Sequence, residues 1–190
     1  MITVEGISKS FNGQEILKNV SFRIEKGECV ALTGESGAGK TTLLRIIAGL
    51  EAADSGEVKF AEDVRKTFVF QENRLLENKS VLDNILTVAP DKDKALYYLK
   101  RLFLKEDADK KAGQLSGGMK RRLAIARALA YGGEIYFLDE PLRELDAETL
   151  KATARLIKEE LTGKTALLIT HDSFSLEYLS TKQISVKSNG

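Results

Sequence analysis

The spacing of apolar positions along this 190-residue chain changes twice, and the changes divide it into three stretches. From Met1 to about Gln71 short runs of strand character dominate. Val20 to Ile24 alternates apolar with polar, Cys29 to Leu32 is continuously apolar, and Lys66 to Phe70 is another such run, with a helix opening near Gly39 between the last two. From about Glu72 to Ala130 the spacing turns helical. Ala95, Leu99, Leu102 and Phe103 share one face, and Leu123, Ala126, Leu129 and Ala130 share another. From Glu134 onward strand and helix alternate again: Ile135 to Leu138, an amphipathic helix carrying Leu150, Ala154, Ile157 and Leu161 with a stop at Gly163, then Ala166 to Ile169.

No repeat or low-complexity linker interrupts the chain, so the pattern predicts one domain over 1–190, with a helical insertion at 72–130 and an α/β core made of 1–71 and 131–190. Short apolar strands alternating with helices predict a mainly parallel α/β sheet covered on both faces. Ligands bind such sheets at the carboxyl ends of the strands.

Composition changes this picture little. Apolar residues make up 43% and charged residues 30%, as in an ordinary globular protein. Lys plus Arg (29) nearly balances Asp plus Glu (28), so no overall field draws nucleic acid or anionic lipid, and no nucleic-acid partner is expected. Cys29 is the sole cysteine and stands among apolar neighbours, which reads as a buried thiol in a reducing cytosol rather than a disulfide or metal ligand. The first residues lack a signal pattern, and no apolar run approaches the ~20 residues that span a bilayer. Association with a membrane would therefore need a partner.

Candidate chemistry begins at Gly34 to Thr41, which reads GESGAGKT. This matches the Gly-x-x-x-x-Gly-Lys-Ser/Thr phosphate loop, and it sits between an apolar strand and a helix as that motif requires. Its glycines let backbone N–H groups turn inward to form a nest for phosphate oxygens, reinforced by the helix N-terminus. Lys40 is placed to bind β- and γ-phosphates and Thr41 to coordinate Mg²⁺. Taken alone, the loop fits small-molecule kinases, GTPases and helicases as well.

A second cluster ends the strand Ile135 to Leu138, where Asp139 and Glu140 precede Pro141. Two carboxylates there suit two jobs, holding Mg²⁺ through water and acting on the attacking water; the same tripeptide also begins surface turns. A third feature is LSGGMK at Leu115 to Lys120, running on into RRLAIARALA. Ser116, Gly117 and Gly118 at the start of that helix make a second anion-binding terminus, which one phosphate loop does not need.

At these residues the sequence resembles the ATP-binding cassette family, whose signature Leu-Ser-Gly-Gly-Gln it nearly reproduces, and the resemblance spans almost the whole chain. The resemblance implies a P-loop NTPase fold: a RecA-like core, an N-terminal antiparallel β subdomain and an inserted α-helical subdomain. It implies ATP and Mg²⁺ as ligands. Phe11, in SFNGQEILKNVSF, is similar to the aromatic that stacks on adenine, and Gly34, Glu35, Ser36, Gly37, Ala38, Gly39, Lys40, Thr41 and Thr42 correspond to the phosphate-binding loop. Gln71 resembles the glutamine that meets Mg²⁺ and the attacking water, so the implied metal set is Thr41, Gln71 and Asp139. Asp146 matches the aspartate of the following loop, Glu140 the catalytic glutamate, and His171, in LLITHD, the histidine that senses the γ-phosphate; Glu140, His171, Gln71 and Lys40 form the implied catalytic set.

In this family the signature of one subunit completes the phosphate site of another. The resemblance thus implies a second cassette, homo- or heterodimeric, with Ser116, Gly117 and Gly118 facing the partner's ATP. It also implies integral membrane permease subunits docked near Glu72 to Asp83, a solute-binding protein acting through the permease, and a peripheral place on the cytoplasmic face of the cell membrane. FVFQENRLL followed by SVLDNI is similar to importers of the nitrate, sulfonate and taurine type. Met119 replaces the signature glutamine, Arg143 and Glu144 stand where small residues are common, and the chain stops at Gly190, soon after His171, leaving no expected regulatory C-terminal domain. Two other classes remain open on sequence: a non-transport cassette protein of DNA repair, ribosome function or iron–sulfur assembly, and a small P-loop kinase. Long coiled coils or a doubled cassette would mark the first, and the LSGG segment weighs against the second.

Overall fold

A computed structural model of the chain describes residues 1–61 and 63–186. In chain order the elements are β1 (Ile2–Phe11), β2 (Gln14–Ile24), β3 (Cys29–Thr33), α1 (Lys40–Ala48), β4 (Ser55–Phe60), β5 (Lys66–Val69), α2 (Val81–Leu86), α3 (Lys92–Arg101), α4 (Gly117–Tyr131), β6 (Ile135–Asp139), α5 (Ala147–Glu160), β7 (Thr165–Ile169), α6 (Ser173–Leu179) and β8 (Lys182–Ser185). Single 3₁₀ turns at Lys105–Asp107 and Ala112–Gln114 join α3 to α4.

Two sheets result. A five-stranded sheet in the order β5-β6-β7-β3-β8 is parallel throughout, and a three-stranded antiparallel sheet in the order β2-β1-β4 packs beside it. β1 and β2 are long partners in a hairpin rather than the short runs expected. Asn12 and Gly13, at φ 50° and 80°, form the turn, and an Asn-Gly pair suits the left-handed backbone that a twisted hairpin demands.

Alternation along the central parallel strands sorts side chains between two cores. Cys29, Ala31, Tyr136, Leu138, Ala166 and Leu168 join the cluster that holds α4 and α5. Val30, Leu32, Ile135, Phe137, Leu167 and Ile169 join the cluster built with α1 and the antiparallel sheet. Because both faces are covered, these strands read as continuous apolar runs. Phe137 is fully buried and stacks on Phe68 with ring centroids 5.0 Å apart.

The helical segment contains α2, α3 and α4, and α4 packs against both α2 and α3 and against β5. Its first part, expected to be helical from Glu72, is instead an irregular loop up to Ser80. The fully buried Asn84 staples that loop: its carboxamide accepts from the Leu76 N–H (2.8 Å) and donates to the carbonyls of Leu76 (3.0 Å) and Ser80 (2.9 Å). The expected face through Phe103 is also cut short. α3 closes in a Schellman motif in which the Leu104 N–H bonds the Leu99 carbonyl (2.8 Å) and the Phe103 N–H bonds that of Lys100 (3.2 Å). Phe103 therefore turns left-handed (φ 56°) and is 56% exposed, while Leu104 takes the buried place.

Candidate active site

The carboxyl ends of β3, β6 and β7 open on one side of the parallel sheet, and β3 leads directly into the loop 34–39 before α1. The loop's glycines are there for different reasons. A Cβ on Gly39 (φ 83°) would fall 2.8 Å from side-chain carbons of Ile16 and Leu17 on β2, and one on Gly34 (φ 139°) would fall 2.2 Å from the Val186 carbonyl oxygen. Gly37 has open space around it and needs only the freedom of φ 81°. Packing thus fixes the ends of the loop, and conformation fixes its middle. Lys40, 6% exposed, folds its ammonium back onto the loop and donates to the carbonyls of Gly34 (2.9 Å) and Glu35 (2.6 Å).

β6 ends in the two carboxylates. Asp139 is 4% exposed; burial raises its carboxyl above the usual range, and a hydrogen bond from the Thr41 side chain pulls the other way. Glu140 breaks the strand with a left-handed backbone (φ 49°), its N–H bonded to the Ile169 carbonyl at 2.8 Å. That twist turns its carboxylate toward His171, just beyond β7, whose Nε2 lies 3.5 Å from Glu140 Oε1; Arg143 stands 3.7 Å from Oε2.

One pocket of about 360 Å³ gathers most of the predicted groups. It is lined by Ser36, Gly37, Gly39, Lys40, Thr41 and Thr42 of the loop and the start of α1, by Gln71, Glu140 and His171, and by Phe11, Ile16 and Ile169. Gly34, Glu35 and Ala38 do not line it: Gly34 packs on Val186, Ala38 is buried, and Glu35 contributes its carbonyl to Lys40. Asp139 lies behind Thr41. Ser116, Gly117 and Gly118 also stay outside the pocket, at the tip of α4, where Ser116 and Gly117 are exposed. A separate cavity of about 240 Å³ lies by Met1, Phe60, Ile135 and Thr165, at the amino ends of β6 and β7 and away from these groups.

The sequence profile described as ABC transporter matches residues 17–143. The chain belongs to the ABC transporter family. An aliphatic sulfonates import ATP-binding protein of Shouchella clausii is 42% identical over 175 residues, covering 90% of this chain and 71% of that protein. A protein of like description from Albidiferax ferrireducens is 39% identical, with 90% and 65% covered. A sulfate/thiosulfate import ATP-binding protein of Escherichia coli is 41% identical, with 90% of this chain and 53% of the relative covered. The chain thus spans between about half and seven-tenths of the length of these relatives. Among solved structures, a dimeric ATP-binding cassette in a post-hydrolysis state bound to ADP and Pi shares 29% identity at a TM-score of 0.88, covering 100% of this chain and 97% of that one. A dimeric bacterial ABC transporter cassette shares 32% at a TM-score of 0.88, with 98% and 94% covered. The α/β P-loop fold of an ABC ATPase, with its antiparallel β layer, is therefore the fold of this chain.

Within this cassette the atypical loop after Glu140 leans on the signature. Glu144 is left-handed (φ 66°), its carbonyl oxygen would sit 2.9 Å from a Cβ on Gly118, and its carboxylate 3.0 Å from one on Gly117. Asp146 does not reach the pocket; its carboxylate caps α5, accepting from the N–H groups of Glu148 (3.2 Å) and Thr149 (3.0 Å). Met119 is half-buried against the helical core. Sequence reasoning missed Ile16 and Ile169, which look like any core residue, and Arg121, a buried arginine inside a basic run.

Proposed function

We propose that this cassette binds Mg·ATP in the pocket above α1, hydrolyses it once a second cassette closes over the γ-phosphate, and drives import through separate membrane subunits. The observation that carries the reading is the convergence of Lys40, Thr41, Gln71, Glu140 and His171 on one pocket at the carboxyl end of a parallel sheet. Loop amides and the Lys40 ammonium, exchanging its loop carbonyls for phosphate oxygens, stabilise charge on the transferring phosphoryl group. Glu140 accepts a proton from the attacking water, and His171 and Gln71 hold that water in line. Phe11, 44% exposed on the pocket wall, offers a face for adenine, with the Lys9 ammonium 5.0 Å from its ring centroid.

Thr41, Gln71 and Asp139 supply hydroxyl, carboxamide and carboxylate oxygens, a donor set suited to a hard cation such as Mg²⁺. The buried Asp139 beside the Thr41 side chain supports that fit. When bound, Mg²⁺ neutralises phosphate charge; the remaining work falls to the side chains above.

The exposed position of Ser116 and Gly117 outside their own chain's pocket supports a paired assembly in which each signature meets the other copy's nucleotide. The solved cassettes it resembles are described as dimeric, which supports pairing. Among described residues no helix is long and apolar enough to cross a membrane, which fits a peripheral subunit on the cytoplasmic face. The loop 72–80, stapled by Asn84 and presenting Leu76 at 44% exposure, is the surface for a permease. Relatives described as importers of aliphatic sulfonates and of sulfate or thiosulfate favour a sulfur oxyanion as cargo, received from a solute-binding protein. The test is phosphate release by the purified protein with Mg·ATP, expected to rise more than linearly with protein concentration; failure to bind ATP at millimolar concentration would overturn the reading.

A further inference from the structure

Among the described residues, the mechanism above leaves one buried cation unused. Arg121 sits on the first turns of α4, five positions beyond the helix cap Ser116, and is only 2% exposed. Its guanidinium bridges two strand ends. On one side it donates to the carbonyl oxygens of Phe70 and Gln71 (3.4 Å to the latter) and to Oδ1 of Asn73 (3.4 Å). On the other it donates to the carbonyls of Asp139 (2.6 Å), Glu140 and Pro141 (3.1 Å). The loop that carries Gln71 and the strand end that carries Glu140 thus meet on one planar group, which itself rides on the signature helix.

Burial works against a charge there and outweighs the pull of the Asp139, Glu144 and Glu140 carboxylates that favours it. Burying a guanidinium largely against carbonyls costs free energy that an amide or apolar side chain of similar volume would avoid. What arginine offers is a rigid fork of five N–H donors, and all three of its nitrogens donate here. The fork also bears on strain. Glu140 is a non-glycine residue at φ 49°, a conformation that persists only when its surroundings over-determine it. Its N–H is held by Ile169 and its carbonyl by Arg121.

We propose that Arg121 is a positioning residue that locks the Glu140 backbone and the Gln71 loop to α4, so that any movement of the helix tip bearing Ser116 and Gly117 shifts both groups together. The inference rests on the function proposed above and adds to it the part through which partner contact reaches the hydrolytic groups. Arg121 itself does not line the pocket.

The experiment compares Arg121→Gln and Arg121→Lys with Leu129→Val, a buried α4 substitution remote from the pocket, in the full chain. Thermal melts, binding of a fluorescent ATP analogue and steady-state hydrolysis are measured for each. The expected result is nucleotide affinity within about twofold of the parent for both Arg121 variants, with kcat lowered at least tenfold, because neither side chain can reach both sets of carbonyls. Leu129→Val is expected to lower the melting temperature and keep kcat within about twofold. Unchanged kcat in folded Arg121→Gln would overturn the proposal. So would failure of both Arg121 variants to fold, or loss of affinity, stability and kcat in parallel, since each marks a purely structural role. If the parent protein turns over ATP and the variants do equally well, this inference alone falls; if the parent neither binds nor hydrolyses ATP, the reading of the site falls first.

Discussion

Nε2 of His171 lies 3.5 Å from Oε1 of Glu140, the two side chains reaching toward each other from the ends of the neighbouring parallel strands β7 and β6. The pairing depends on the left-handed turn at Glu140, which swings the carboxylate out of the strand line and over the pocket. A carboxylate and an imidazole in this relation can accept and orient the proton of one water molecule.

Glu140→Gln keeps the size of the side chain and removes its basicity. It is expected to lower kcat by about 10²-fold or more, the range of a general base, while leaving ATP affinity within a few fold. Single-turnover hydrolysis beside equilibrium nucleotide binding checks this; near-normal turnover would remove Glu140 from its role.

Asp139 gives a stability prediction with a definite sign. Burial raises its carboxyl above 3.8 in the folded chain, so between 3.8 and the raised value the folded state holds more protons than the unfolded one. Stability then falls as pH rises through that window, and the penalty is fully present above it. Asp139→Asn is expected to raise the melting temperature at pH 7 by about 2–4 °C, as for roughly 1 kcal/mol in a chain of this size, to lose that advantage below the window, and to lower turnover at least tenfold at saturating Mg²⁺. Thermal melts from pH 3.5 to 8 decide; a lower melting temperature at pH 7 would contradict the burial argument.

Cys29 is 7% exposed at the start of β3, and burial pushes its thiol up to about 12. At neutral pH its thiolate fraction is about 10³-fold below that of an ordinary cysteine. Native protein is expected to resist iodoacetamide over hours and to label at once when unfolded, as intact mass will show; rapid labelling of the native state would place the thiol outside the core.

Glu144 sets a carboxylate against the α4 terminus that carries the signature glycines. Glu144→Ala removes a negative group that favours the helix end but repels incoming phosphate. It is expected to lower stability by about 0.3–1 kcal/mol and to reduce the ATP concentration needed for pairing about two- to fivefold. Melting curves and light scattering across an ATP titration test both effects; pairing that needs more ATP would reverse the assignment.

What could be read without coordinates was whatever depends on local chemistry. GESGAGKT after an apolar strand, Asp139-Glu140 at a strand end and LSGG at a helix start each carry their reason within a few residues, and β3, β6 and β7 announce themselves because both faces are covered. The edge strand β8 did not, since Lys182–Ser185 is polar and pairs only with β3. Periodicity places Phe103 on an apolar face because it cannot see a Schellman closure. Arg121 was invisible for the opposite reason: a cation inside a core contradicts the rule by which cores are found, and its meaning lies in carbonyls about 20 and 50 positions away.

In the proposed assembly one copy's phosphate loop and another copy's signature tip close on the same nucleotide. Light scattering of Glu140→Gln protein with and without saturating Mg·ATP tests it most directly, run beside the same protein carrying Gly117→Asp. The expected result is a monomer without ATP, a dimer with it, and a monomer that still binds ATP when Gly117 is replaced. A mass that ignores ATP, or a Gly117→Asp protein that pairs as readily as its parent, would contradict it.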